Sequence, residues 1–271
     1  MRVLSTNTRS TKDREFIRHV RAFARAAGRQ HLPWRQFPVD GSGADPYAIL
    51  VSEMMLQQTQ VHRVIPYFER WMMQFPTVTD LARAELSDVL TLWSGLGYNR
   101  RAKFLHDAAK AVLAREHGVM PREYERLRAL PGVGDYTAKA VRVFAFNEPE
   151  VLIETNVRAV FLHHFYRGRK NVSDRLLLRH IARTLDMESP RLWYAALMDY
   201  GTHLKATVPN PSRRSAHHVK QARFEGSLRQ VRGAIVRAVS RKESLAAVRK
   251  LFPERFDVAY RALVKEGLIQ K

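Results

Sequence analysis

The chain has 271 residues, with 46 Lys and Arg against 26 Asp and Glu, which gives a formal net charge of +20 at pH 7. An excess of this size, spread along a chain without a long apolar run, favours nucleic acid over a membrane as the partner. There is no cysteine, which excludes disulfides, thiolate zinc sites, cysteine nucleophiles and cysteine-ligated iron–sulfur clusters. Residues 1–16 lack the apolar core of a signal peptide, so we expect a cytoplasmic, nucleoid-associated protein, or a nuclear one in a eukaryote.

Apolar residues recur with a period near 3.6 in almost every segment, and no alternating run predicts a strand, so we expect an all-α fold. Residues 10–27 predict a first helix that Gly28 closes. Asp45 and Pro46 form the next helix start, because a side-chain acceptor there precedes a proline. The helices that follow are expected to be separated by proline or glycine, at Pro66, Pro76, Gly95, Gly97, Pro121, Pro131 and Pro149.

A Pro-Gly-Val-Gly turn at residues 131–134 joins two predicted helices. Gly132 and Gly134 lack the Cβ atoms that would keep a phosphate away from the backbone. The helix after the turn offers free N–H groups and the positive end of its dipole. The turn therefore predicts a phosphate-binding hairpin, and the alternative is an ordinary tight turn.

A second turn, at residues 95–98, ends in Tyr98 and is followed by Arg100 and Arg101. An exposed aromatic ring beside arginines is suited to stacking on bases or wedging between them. The alternative is a Tyr buried in a helix corner.

Four segments carry a family resemblance, namely 32–35 (Leu-Pro-Trp-Arg), 52–61 (Ser-Glu-Met-Met-Leu-Gln-Gln-Thr-Gln-Val), 95–98 (Gly-Leu-Gly-Tyr) and the Gly-Val-Gly hairpin. In this order they make the chain resemble the MutY-type adenine DNA glycosylases of the helix-hairpin-helix (HhH-GPD) superfamily, which also contains endonuclease III. The resemblance covers residues 10–204, and the run from Ser52 to Thr59 is specific to the adenine branch. It implies a two-lobed helical glycosylase fold with the active site in the cleft between the lobes.

The resemblance implies that Glu53 lies beside a flipped adenine and donates a proton to its N7. The residues around it agree, since Val51, Met54 and Met55 flank the carboxyl and should desolvate it. The alternative is a Glu on a solvated helix face. The second catalytic position is Glu154, where the family has Asp, and it would stabilise the oxocarbenium-like sugar. Asn156 matches the Asn that holds this carboxylate in place.

Tyr136 falls at an active-site position where endonuclease III-type lyases keep their Schiff-base Lys. A Tyr cannot form a Schiff base, so we expect little or no strand cleavage. Gln58 matches a Gln that enters the duplex where the base has left, and Tyr98 matches a Tyr that wedges at the opposite base. The residues expected to contact DNA are Gln57, Gln58, Tyr98, Arg100, Arg101, Gly132, Val133, Gly134, Thr137 and Lys139.

The C-terminal region departs from the family. Relatives usually carry four Cys that bind a [4Fe–4S] cluster, but the first of those positions is Lys205 here and no Cys follows. We therefore expect no cofactor and no metal, with ordinary packing of residues 209–233 in place of the cluster. His203, His217 and His218 are expected to face solvent or DNA.

Residues 209–214 are the best candidate linker, so we expect a glycosylase core over residues 1–208 and a basic extension over 209–271. From residue 212 onward there are 15 Lys and Arg against 5 Asp and Glu, which is half of the net charge. Residues 257–267 predict a helix with a Gly cap, and residues 268–270 predict a short strand. A winged-helix-like unit and a purely helical cap are both open.

The leading hypothesis is a monomeric, monofunctional glycosylase that removes adenine mispaired with 8-oxoguanine or guanine in double-stranded DNA. One alternative is a sister activity on thymine, uracil or a modified base, which Glu154 in place of Asp keeps open. Another is a catalytically silent protein that binds DNA structures. The Glu53, Glu154 and Asn156 set argues against the last, because a binding module needs only the hairpin and the charge.

Overall fold

The structure is a computed structural model that describes residues 9–36, 44–218 and 223–270. Across these residues it is helical and contains no β-strand, with one isolated bridge between Val172 and Ser215. The α-helices are α1 (Thr11–Ala27), α2 (Pro46–Leu56), α3 (Val61–Gln74), α4 (Val78–Arg83), α5 (Leu86–Trp93), α6 (Arg100–Glu116), α7 (Tyr124–Arg128), α8 (Asp135–Phe146), α9 (Thr155–Phe165), α10 (Asp174–Thr184), α11 (Pro190–Thr207), α12 (Leu228–Ser240), α13 (Ala246–Leu251) and α14 (Pro253–Lys265). Short 3₁₀ helices cover Pro33–Arg35 and Pro211–Arg214. The predicted all-α fold is confirmed, and none of the described helices has the length and apolarity that a membrane crossing requires.

Both predicted helix starts are confirmed. Ser10 caps α1 through a reciprocal pair of bonds, because its hydroxyl accepts from Asp13 N while the Asp13 carboxylate accepts from Ser10 N. Gly28 is the C-cap of the same helix. Helix α2 begins at Pro46, directly after Asp45. Local sequence chemistry therefore sets these helix ends.

Pro66 was expected to separate two helices, but it lies inside α3. A proline at this position removes the N–H that would bond to the carbonyl of His62, one turn earlier. Both residues are exposed, so water can satisfy that carbonyl. The helix consequently continues through the proline.

The chain divides into two compact units by its own packing. The first contains the described parts of residues 1–45 and 135–220, and α1, α9 and α11 form its centre. Phe16 of α1 lies with its ring 5.0 Å from Phe161 of α9 and 6.0 Å from Trp193 of α11. Asp199 of α11 is buried and accepts bonds from the guanidinium groups of Arg29 (2.7 Å) and Arg35 (2.8 Å).

The second unit contains the described parts of residues 46–134 and 221–271. Its core includes the edge-on contact of Trp71 with Trp93, whose rings are 5.6 Å apart. The indole of Trp71 donates to the hydroxyl of Tyr47, which in turn donates to the carbonyl of Phe75. A satisfied chain of polar groups thus crosses an otherwise apolar interior.

The C-terminal helices belong to this second unit. Helix α12 packs on α5 and α14 through buried side chains that include Val231, Ile235, Phe256 and Leu263. The predicted strand at residues 268–270 is wrong, because α14 ends before Gly267 at φ 66° and no strand is present beside these residues in the described chain. Leu268 and Ile269 are instead buried in a bend that follows the helix. The helical alternative for the extension is the one observed.

The predicted linker at residues 209–214 is also wrong as a linker. Pro211 and Ser212 are buried, and the 3₁₀ helix Pro211–Arg214 packs on α9. Packing thus ties residues up to 218 to the first unit and residues from 223 onward to the second. The functional boundary between residues 208 and 209 stays a prediction.

Candidate active site

Glu53 lies on α2, a helix in which nearly every side chain from Tyr47 to Met55 is buried. Its own side chain is only 9% exposed. The predicted burial of this carboxyl is therefore confirmed, and the solvated-face alternative is excluded.

The C-terminal end of α2 is held by Arg101 of α6. Its guanidinium donates to the carbonyls of Met54, Met55 and Gln57, at 2.9, 2.9 and 2.6 Å. It also donates to Thr59 Oγ1 and to the carbonyl of Gly97. Burial lowers the pKa of Arg101 to about 10. The sequence suggested a DNA contact for Arg101, whereas the structure gives this buried side chain a role in positioning the α2 end.

Gln57 and Gln58 follow directly from this fixed helix end. The Gln57 amide lies 3.5 Å from Met54 Sδ and is partly buried. Gln58 is exposed, and its backbone is in the left-handed region at φ 56°. A non-glycine residue in this region is uncommon and is held by its surroundings. The conformation presents Gln58 at a sharp turn, where a side chain could enter a duplex.

Tyr98 ends the second predicted turn and is half-buried, with φ 50°. Arg229 of α12 donates a hydrogen bond to its hydroxyl. Arg101 lies 5.4 Å from the centre of its ring. Arg100 is exposed and stacks on Phe104, 4.9 Å from the ring centre. Tyr98 is therefore neither fully exposed nor buried, but braced by arginines.

The predicted hairpin is present between α7 and α8. Gly132 and Gly134 are exposed while Val133 between them is buried, and Gly132 has φ 76°. A Cβ at Gly132 would lie 2.5 Å from Phe104 Cβ, so both the backbone angle and the space require glycine. Arg128 donates to the carbonyl of Val133 at 2.9 Å and holds the turn. Arg128 is therefore a residue of the hairpin that had no predicted role.

Helix α8 begins immediately after this turn and carries Tyr136, Thr137 and Lys139. Tyr136 is partly exposed, as an active-site residue must be. Thr137 is buried, and its expected contact with DNA stays a prediction. Lys139 pairs with Asp135 at 2.9 Å along the helix. Its predicted contact with phosphate would compete with this exposed ion pair.

Glu154 is the N-cap of α9. Its Oε1 accepts hydrogen bonds from Asn156 N and Val157 N, each at 2.7 Å, and Asn156 Nδ2 lies 3.2 Å from Oε2. A carboxylate at a helix N-terminus interacts favourably with the helix dipole. The predicted pairing of Glu154 with Asn156 is thus present, and the longer Glu side chain folds back onto its own helix.

Burial raises the pKa of the Glu154 carboxyl, whereas the two backbone hydrogen bonds and the positive charges of Lys205 and Arg158 favour its ionised form. Arg158 is itself fixed by a two-pronged ion pair with Asp174, at 2.9 and 2.8 Å. Lys205 of α11 is partly buried. These two cations are functional candidates that the sequence analysis missed, although Lys205 was already marked as the position where the family has its first cluster Cys.

Gly201 is another residue without a predicted role. A Cβ there would lie 2.4 Å from the carbonyl oxygen of Asn156, so only glycine lets α11 approach α9 this closely. Gly201 therefore sets the distance between α11 and the helix that carries Glu154.

Residues of this chain do not fit an iron–sulfur cluster, because there is no thiolate to bind one. Residues 209–218 pack on α9 instead, where Ser212 donates to the carbonyl of Thr155 and Arg214 donates to those of Leu162 and Tyr166. Within the described residues, no three His, Asp or Glu side chains are grouped as metal ligands. His203, His217 and His218 are exposed.

The predicted site residues thus fall into two sets. Glu53, the glutamines, Tyr98 and the two arginines belong to the second unit, together with the hairpin glycines. Glu154, Asn156, Tyr136, Thr137 and Lys139 belong to the first. The predicted cleft that would bring the two carboxyls to one nucleotide stays a prediction.

Comparison with known proteins shows the family and the fold to which this chain is similar. Residues 51–184 match the family model described as HhH-GPD superfamily base excision DNA repair protein. The chain is 33% identical to the adenine DNA glycosylase of Mycolicibacterium smegmatis over 268 residues, covering 90% of this chain and 89% of the relative. It is 39% identical to the mouse adenine DNA glycosylase over 70% of this chain, but spans only 37% of that longer protein.

Solved structures with the same fold include a thermostable thymine-DNA glycosylase, with a TM-score of 0.63 and 23% identity over 74% of this chain and 90% of the other. A non-covalent endonuclease III–DNA complex has a TM-score of 0.58 and 20% identity, over 74% and 90% of the two chains. These two likenesses establish the fold, and the Mycolicibacterium relative establishes the family. The chain belongs to the HhH-GPD superfamily of base excision DNA repair proteins, within its adenine DNA glycosylase family.

Proposed function

We propose that this protein removes adenine, mispaired with 8-oxoguanine or guanine in double-stranded DNA, by hydrolysing its N-glycosidic bond. The observation that carries the proposal is the buried Glu53 carboxyl on α2, within the run Ser52 to Thr59. The comparison with known proteins also supports the proposal, because the Mycolicibacterium relative, which is 33% identical to this chain, is an adenine DNA glycosylase. The target base must leave the stack to reach any such carboxyl.

Glu53 is the general acid in this reaction. Its proton passes to N7 of the flipped adenine, and the bond between C1′ and N9 breaks with its electron pair going to the base. Positive charge then develops on the sugar, where the Glu154 carboxylate stabilises it electrostatically or by a transient bond. Water adds to C1′ and releases a proton, which completes the hydrolysis.

Glu154 supports this role by how it is held. Two backbone N–H groups and the amide of Asn156 fix its oxygens, and Lys205 and Arg158 favour its negative charge. A preorganised charge stabilises a developing cation without having to reorient during the reaction. The extra methylene relative to the Asp of the family is taken up by the return of the side chain onto α9.

The activity that we propose is monofunctional and independent of metal or cluster. Tyr136 provides no amine for a Schiff base, so the sugar–phosphate backbone should stay intact after the base is released. No step requires an iron–sulfur cluster, and the chain has no cysteine to bind one. We further propose that the protein acts as a monomer.

The test is a single-turnover panel on duplexes that carry adenine opposite 8-oxoguanine, guanine, cytosine or thymine, with uracil and thymine opposite guanine beside them. We expect fast release of adenine opposite 8-oxoguanine and guanine, without strand cleavage until alkali is added. Release of thymine or uracil in place of adenine would favour a sister activity. Tight binding with no release of any base would favour a DNA-structure-binding protein.

A further inference from the structure

Helix α1 carries four arginines on one face, which together are called the arginine stripe. They are Arg14, Arg18, Arg21 and Arg25, and all four are exposed. Their spacing of four, three and four residues places them in one line along an α-helix, over about 16 Å of its length. The opposite face of the helix is the buried one, where Phe16 and Val20 lie. The stripe therefore points outward from the first unit.

The stripe differs from an ordinary solvated helix face. Solvated faces usually mix charges of both signs, because acidic and basic residues one turn apart attract each other. Each arginine of the stripe instead has another arginine three or four residues away, and such like-charged pairs destabilise a helix. Among the described residues, one carboxylate pairs with the stripe, that of Asp186, which lies 2.7 Å from Arg21. An anionic partner would relieve the repulsion that remains.

The N-terminal end of the stripe is held by neutral groups. Arg14 donates to the carbonyl of Arg9 at 2.7 Å, and Arg9 donates to the carbonyls of Arg183 and Leu185. Carbonyls fix the position of a guanidinium group without cancelling its charge. Arg9 and Ile17 line one open groove together with the stripe. A groove of this composition is suited to a row of phosphates, which guanidinium groups bind through charge-assisted hydrogen bonds.

The stripe and the Glu154 carboxylate lie on different sides of α1. The buried face of α1 packs against α11, and the ring of Phe16 lies 5.0 Å from that of Phe161 on α9. Glu154 is at the start of α9, and Gly201 of α11 lies against Asn156. The stripe therefore faces away from the helix that carries Glu154. Phosphates at the stripe would belong to a segment of DNA other than the one whose nucleotide reaches Glu154.

We propose that the arginine stripe binds the backbone of a second segment of undamaged duplex DNA while the candidate active site holds the first. Duplex DNA is favoured over an acidic protein because the stripe repeats one charge along a line, as a phosphate backbone does. Protein interfaces also use exposed apolar anchors, whereas Ile17, the apolar residue of the described lining, is buried. Two segments held at once let the protein pass between them without first dissociating. The inference rests on the proposed role of Glu154, but not on adenine as the excised base.

The experiment follows release of the full-length protein from a fluorescent undamaged duplex while the concentration of an unlabelled duplex is raised. A protein with one DNA-binding surface leaves at a rate that does not depend on the competitor, whereas direct transfer makes the rate rise with it.

Three double variants are compared with wild type. Arg18→Gln with Arg25→Gln removes two charges of the stripe, and Arg18→Lys with Arg25→Lys keeps them. Arg83→Gln with Arg115→Gln removes two exposed charges from the second unit and is the matched control. Thermal melting checks the fold, and the stripe glutamine variant should not melt below wild type, because a repulsion is relieved.

We expect release of wild type to accelerate with the competitor. In the stripe glutamine variant the competitor-dependent part of the rate should be lower by about 10-fold, because two phosphate contacts are lost. The exponent of its salt dependence should fall by about two, one for each contact. The lysine variant and the matched control should stay close to wild type.

A wild-type rate that is independent of the competitor would overturn the proposal, as would a stripe glutamine variant that kept the wild-type dependence. Binding of poly-glutamate that is lost with the stripe, without stripe-dependent transfer between duplexes, would assign the stripe to an acidic protein and would also overturn it. None of these outcomes involves release of a base. A failure here is therefore distinguishable from a failure of the proposed function, which the excision panel tests.

Discussion

At the scale of single residues, the proposed mechanism depends on the charge of Glu154. Stabilisation of a cationic sugar requires the ionised carboxylate, but burial raises the pKa of this group and so shifts it towards its neutral form. Lys205 opposes that shift through its positive charge. Lys205, which stands where relatives have their first cluster cysteine, therefore helps to keep Glu154 ionised in this chain.

Replacing Lys205 tests this electrostatic role. In Lys205→Gln the pKa of Glu154 should rise further, because the charge that favours the carboxylate is gone. As the pH is lowered, the rate of excision should therefore begin to fall at a higher pH in this variant than in wild type. The rate near neutrality should change less. The measurement is a pH profile of single-turnover adenine release.

Lys250→Gln removes an equal charge from the exposed surface of α13 and should not shift the pH at which the rate falls on the acidic side of the profile. Glu154→Gln should lose this acidic fall in rate, together with most of the rate itself. If the rate of Lys205→Gln fell at the same acidic pH as that of wild type, either Glu154 would not need its charge or Lys205 would not act on it.

The burial of Glu53 and the pairing of Glu154 with Asn156 could be predicted from the sequence, because each falls within a local run that carries its own context. Lys205, Gly201 and Arg229 could not be predicted in the same way. Gly201 meets Asn156 only when α11 packs on α9, and Arg229 meets Tyr98 across 131 residues of chain. Such pairings arise from tertiary packing, which a local pattern does not encode.

At the scale of elements, α2 and its buried arginine form the support of the site. Arg101 satisfies carbonyl groups that a helix end would otherwise leave without partners. Arg101→Ala should lower the free energy of unfolding by about 2–3 kcal/mol, the range for removing buried hydrogen bonds from a charged group. Urea denaturation measures this change.

The neighbouring Arg100 provides the matched control. It is exposed, so Arg100→Ala should change stability by no more than about 0.5 kcal/mol while weakening DNA binding. The two variants thereby distinguish the structural role of Arg101 from the DNA-binding role of Arg100, although the two residues are adjacent and carry equal charge. Equal stability of the two variants would refute the support that we assign to Arg101.

The elements themselves were predictable where local chemistry decides them. The Ser10 cap, the Asp45-Pro46 start and the glycine hairpin appear as expected. The continuation of α3 through Pro66 was not predictable, since it depends on whether water reaches one carbonyl. The strand at residues 268–270 failed because a strand needs a partner, and these residues have none in the described chain.

At the scale of the whole molecule, half of the net charge lies in a region that is integral to the fold. The arginines of α12 and α14 share their helices with the buried Val231, Ile235, Phe256 and Leu263. Deleting this region would remove core packing as well as charge, so point substitutions are the better probe. Composition predicted a DNA-facing extension, but only the packing shows that one of its arginines reaches Tyr98.

The most direct test of the central claim is excision by Glu53→Gln. The substitution keeps the shape of the side chain and removes the proton that the departing adenine needs. Single-turnover release of adenine opposite 8-oxoguanine should fall by about 10²–10⁴-fold, while the affinity for the same duplex stays close to that of wild type. Full excision by the folded variant would contradict the account, because the proton would then have to come from another group.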